Sequence, residues 1–195
     1  MLVIVLLWRM RRLVYRALLA GGVVAALASL APNEKQPAHP RASGAARPGD
    51  CRGHDGLPDR RCTPGAVRAD LSLQAICRYD YSRTVRPPEG YTEPLKLGQM
   101  RAYHLPGAPS AYEEDHLVAL SIGGAPRDPA NLWPEPRNGP YDAREKDQLE
   151  TWVARTACSG RMPLAELQRD MAEDWTVLFR AAGGEHVLRA YRPGG

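Results

Sequence analysis

Four cysteines, Cys51, Cys62, Cys77 and Cys158, constrain this chain more than any other feature. The gaps between them hold 10, 14 and 80 residues, with none of the close C-x-x-C pairs usual in zinc sites. A cysteine-bound zinc module is therefore not expected. An even count in an oxidising compartment points to disulfides, and four cysteines allow three pairings. The spacing favours a local loop, Cys51–Cys62, and a long staple, Cys77–Cys158. By loop-closure entropy a staple of that length contributes about 4–5 kcal/mol, less any strain.

The N-terminus indicates the compartment. Arg9, Arg11, Arg12 and Arg16 precede fifteen uncharged residues, Ala17 to Ala31, in the pattern of an export signal. The run is shorter than the ~20 residues of a membrane-spanning helix. Ala26-Leu27-Ala28 offers a cleavage site after Ala28, and Met10 is an alternative start. Residues 1–31 are read as a signal peptide, with an uncleaved membrane anchor as the alternative. Either places the rest outside the cytoplasm, secreted or extracytoplasmic. Residues 32–50, rich in Pro, Ala, Gly and Arg, lack the apolar surface to fold and read as a disordered linker.

Charge is uninformative about partners. Without the four N-terminal arginines, 22 basic residues face 22 acidic ones. No broad basic surface announces nucleic acid, so such a partner must be gripped by a local cluster.

From Cys51 to Ala182 the pattern reads as one α+β domain, with 183–195 as a tail. Val67 to Cys77 fits a short helix or strand equally. Val85-Arg86-Pro87-Pro88 reads as extended, because proline restricts its predecessor. Tyr91 to Tyr103 reads as a helix. Leu117 to Leu120 reads as the apolar end of a strand, Gly123-Gly124 with Pro126 and Pro129 as a loop, and Asn131 to Pro134 as a second extended piece. Beyond Pro140, Leu149, Trp152, Val153 and Thr156 fall at helical spacing, ended by Ser159-Gly160. Pro163 opens a last helix with Leu164, Leu167, Met171, Trp175 and Leu178 on one stripe, ended by Gly183-Gly184.

The chemistry lies in Tyr112-Glu113-Glu114-Asp115-His116-Leu117, Gly123-Gly124, Asn131-Leu132-Trp133-Pro134-Glu135-Pro136 and Lys146-Asp147-Gln148-Leu149-Glu150. This wording resembles HNH endonucleases, and from Pro64 to about Trp175 it is similar to a group of small, often exported bacterial HNH-like proteins. The resemblance implies a ββα-metal (HNH or His-Me finger) core with additional helices and one divalent metal. It implies hydrolysis of nucleic-acid phosphodiester bonds, DNA first. Carried over, His116 is the general base and Asn131 holds the histidine loop in shape, the two catalytic positions. Asp115 is a metal ligand.

An imidazole with an ordinary pKa near 6.5 suits a general base. Hard cations prefer carboxylate oxygens. Family members place a His or Asn ligand on the helix, whereas this helix has no His. Asp142, four residues before Lys146, is the substitute, either as metal ligand or as N-terminal helix stabiliser. With it the site favours Mg²⁺ or Mn²⁺ over Zn²⁺. Arg144 and Lys146 are expected to contact phosphate. Adjacent strand residues point to opposite faces, so Asp115 and His116 share a site only where the strand ends or twists. The alternative is a catalytically degenerate secreted domain that binds nucleic acid or a cell-envelope partner. Glu113 and Glu114 are read as solvated, Trp133 as core, and Arg127 and Arg137 as solvated loop arginines. His39, His54, His104 and His186 receive no role, and no protein partner is expected.

Overall fold

The structure is a computed structural model describing residues 50–184. They belong to the second of the chain's two units, 40–195. The expectations for 1–31, nearly all of the linker, and the tail beyond residue 184 lie outside the described residues.

The domain is mixed helix and sheet. Three helices, α1 (Leu73–Ile76), α2 (Tyr81–Val85) and α3 (Glu89–Ala102), precede a hairpin of β1 (Tyr112–His116) and β2 (Leu132–Pro136). Two longer helices follow, α4 (Ala143–Cys158) and α5 (Leu164–Ala181). The strands pair antiparallel, with Asp115 opposite Trp133 and His116 opposite Leu132. Both disulfides favoured by spacing form, Cys51–Cys62 and Cys77–Cys158, and they consume all four cysteines. They mark an oxidising, extracytoplasmic environment. No helix among the described residues is long and apolar enough to cross a membrane.

α4 starts where the sequence caps it. The Asp142 carboxylate accepts the Arg144 and Glu145 backbone N–H groups, while the Glu145 side chain returns to the Asp142 N–H. Its Leu149, Val153 and Ala157 face the α5 stripe of Leu167, Met171, Trp175 and Leu178. α5 breaks at Asp174, whose extended backbone lets its carboxylate cap the second segment through Thr176 and Val177.

Two expectations shift. Val85 closes the helix α2 rather than opening an extended piece, which begins at Arg86. The apolar run Leu117–Leu120 is not strand: β1 ends at His116, and the run turns into a 3₁₀ turn, Leu120–Ile122. Its side chains are buried against α4 and α5, so burial, not ladder pairing, explains their apolarity. The strand is the polar stretch instead, selected by its pairing with β2.

Candidate functional site

The site forms where β1 runs into the loop 117–131, which is buried over most of 117–125 and exposed at 127–129. Asn131 binds this loop to itself. Its Oδ1 accepts the Val118 N–H at 2.8 Å, and its Nδ2 donates to the Val118 and Ala125 carbonyls at 3.0 and 3.2 Å. The two glycines make the close approach possible. Gly123 takes a left-handed φ of 85°, and a Cβ on Gly124 would collide with the Val118 carbonyl.

His116 sits at the start of the loop, 3% exposed. Its Nε2 lies 3.1 Å from the Pro126 carbonyl. A carbonyl only accepts, so Nε2 carries the proton and the neutral ring presents a bare Nδ1. That Nδ1 is buried without a partner. Burial pushes the imidazole below its ordinary value, against the Pro126 hydrogen bond and the Asp115 charge.

Asp115 turns the other way, onto α4. Its Oδ2 accepts from the Lys146 ammonium, which also donates to Glu150 at 2.6 Å and lies 4.0 Å from Glu135. Lys146 and Glu135 are wholly enclosed. Burial pushes Asp115 up, but Lys146 outweighs it and holds the carboxyl well below the usual carboxylate range. Burial drives Glu135 far up, helped by the neighbouring Asp115 charge. Neither Glu135 oxygen has a hydrogen-bond partner, so nothing offsets the cost of charging it except the Lys146 ammonium at 4.0 Å. Burial raises Glu150 to about 7 despite Lys146. Asp147, open to solvent at one side yet crowded by its neighbours, is raised to about 6 by partial burial and by the Asp115 charge.

The phosphate role expected of Lys146 is therefore corrected. Fully buried among carboxyls, it has no surface to offer. Asp142 is likewise spent: its carboxylate caps α4 and receives the Arg144 guanidinium at 2.7 Å. Arg144 remains exposed at that helix start. Glu114, read as solvated, has both carboxyl oxygens enclosed without a partner, and burial raises it to about 8. Glu113 pairs with Arg137 at 2.8 Å, while Trp133 is core as expected.

Pattern reading passed over Glu135, Asp147 and Glu150 as site members, although all three lie in the motif words. The available signal was the i, i+4 spacing of Lys146 and Glu150. Arg86, whose charge acts on both His116 and Asp147, gave no signal in sequence.

Among the described residues, no three His, Cys, Asp or Glu side chains group as a metal cage. A tetrahedral Zn²⁺ site needs at least three such protein ligands. Mg²⁺ needs less, since it keeps its waters and binds one or two carboxylates together with substrate phosphates. Asp115, its side chain still 8% exposed, and the exposed Asp147 are carboxylates whose charges act on each other and that could serve that mode. Compared with known proteins, the chain matches no family model, no curated protein and no solved structure.

Proposed function

We propose that this domain is an exported ββα-type endonuclease that hydrolyses nucleic-acid phosphodiester bonds with a divalent cation, Mg²⁺ or Mn²⁺ before Zn²⁺. One observation carries the reading: an imidazole with a bare nitrogen directly follows, in the chain, an aspartate that Lys146 holds as a carboxylate, at the start of a loop that Asn131 binds in three places. His116 Nδ1 takes a proton from water as the water oxygen bonds to phosphorus. The P–O bond to the leaving sugar oxygen breaks, and that oxygen is protonated from solvent. The Pro126 carbonyl orients the ring and steadies the imidazolium through Nε2–H. Asp115, kept ionised by Lys146, and Asp147 would hold the cation. When bound, the cation supplies charge neutralisation at the scissile phosphate.

A second reading has its own observation. Lys146 already occupies Asp115, and the His116 Nδ1 is sealed from solvent. Both favour a silent domain that binds nucleic acid or an envelope partner without cutting.

The test is nicking of supercoiled plasmid by the intact, disulfide-bonded protein with Mg²⁺, Mn²⁺, Zn²⁺ or EDTA. The proposal expects nicking with Mg²⁺ or Mn²⁺, none in EDTA, and a loss of about 10²–10⁴ in His116→Ala. No nicking with any metal, or equal nicking by the variant, contradicts it.

A further inference from the structure

Tyr79 is 94% exposed, far beyond any other large apolar or aromatic side chain noted in the described core and surface. Tyrosine is on average a partly buried residue, so a ring this bare stands out on a turn whose neighbours are tied down. Ile76 is buried on one side of it, in contact distance of the Gly123 position. Cys77 is bonded to Cys158 at the end of α4. Asp80 adopts a left-handed φ of 64° and receives Arg83 at 2.6 Å. Pro87 is buried on the other side. A ring held by a rigid turn loses little freedom on binding.

The segment Cys77–Pro88 has three arginines, Arg78, Arg83 and Arg86, against one acid, Asp80, which Arg83 pairs. Arg78 and Arg86 are exposed and form no ion pair or side-chain hydrogen bond among the described residues. α2 packs on the 3₁₀ turn Leu120–Ile122 that follows β1. That turn begins four residues after His116, so α2 brings Arg86 toward this side of the domain, where its charge acts on the imidazole. A domain that is slightly acidic overall, 17 basic against 19 acidic residues over 51–182, thus carries a local excess of positive charge on the segment that bears the exposed ring.

We infer that the stapled segment Cys77–Pro88 is a single-strand platform, on which Tyr79 stacks an unpaired base while Arg78 and Arg86 bind the backbone phosphates. The inference rests on the endonuclease reading and gives it a substrate class. A protruding ring stacks on an unpaired base, whose face is free, but not on a base inside a duplex. The arginines alone would serve either form.

Fluorescence anisotropy on the full-length His116→Ala protein tests this without cleavage. The probes are a fluorescein-labelled 12-nucleotide single strand, the same sequence as duplex, and an oligo-glutamate of equal length. The single strand should bind more tightly than the duplex. Tyr79→Ala should weaken single-strand binding about tenfold, with Tyr79→Phe restoring it to within about twofold, because any ring supplies a stacking face. Arg86→Gln should weaken both nucleic-acid probes. An unchanged melting temperature in Tyr79→Ala confirms that folding is intact. Single-strand affinity unaltered by Tyr79→Ala overturns the platform, and if the parent still nicks plasmid the endonuclease reading stands. An equal loss toward oligo-glutamate also overturns it, in favour of plain charge contact. No binding of any probe together with no nicking by the parent removes both.

Discussion

Glu114 and Asp115 are neighbours in one short strand, yet the domain treats them in opposite ways. Asp115 meets α4, where the buried Lys146 ammonium keeps it ionised. Glu114 is enclosed without a hydrogen-bond partner, and Lys96, the cation that acts on it, donates instead to Glu93 on its own helix at 2.6 Å. Both carboxyls are buried, so burial alone does not set their charge. The partner decides. The α4 side is built to hold negative charge, and the Glu114 side to refuse it.

The largest expected effect comes from removing the partner. Lys146→Met leaves Asp115, Glu135 and Glu150 together without a cation, and should cost about 3–5 kcal/mol in urea unfolding. A loss below about 1 kcal/mol would erase the contrast. Asn131→Ala strands the Val118 N–H and two carbonyls at the junction between strand and loop, and should cost about 2–4 kcal/mol by the same measurement. Stability little changed would mean that the loop holds its shape through other contacts.

Glu114 sharpens the comparison from the other direction, through pH. Its folded value of about 8 lies above the ordinary 4.5, so the folded state holds a proton that the unfolded chain releases. Its contribution is fully present below pH 4.5 and is lost as pH rises through 8. Glu114→Gln cannot ionise. It should flatten the decline of urea stability between pH 5 and 8 and gain up to about 4 kcal/mol over the parent at pH 8, vanishing near pH 4.5. A parallel pH profile in the variant would show that Glu114 has a partner after all.

Much of the frame was legible in the sequence. The disulfide pairing followed from spacing, and the α4 and α5 stripes from period 3.6. The site was legible only in part, and the missing part has one physical cause. Tyr112-Glu113-Glu114-Asp115 has the composition of a solvated stretch, whereas Leu117–Leu120 looks like a strand. Which carboxyl is enclosed depends on what packs over it, and Lys146 arrives from 31 residues away. A lysine at helical spacing from acids usually lies on a wet surface. Nothing local distinguishes one that is buried.

The most direct test of the central claim is the pH dependence of single-turnover cleavage of a plasmid or oligonucleotide with Mg²⁺. His116 is held below its ordinary 6.5, so its base form persists into mild acid. The account predicts a rate that falls only below pH 6.5, as the imidazole takes up a proton, and in His116→Ala a shallower fall that follows Asp147 alone, near 6. A limb at or above pH 6.5, or the same profile with and without the imidazole, would contradict it.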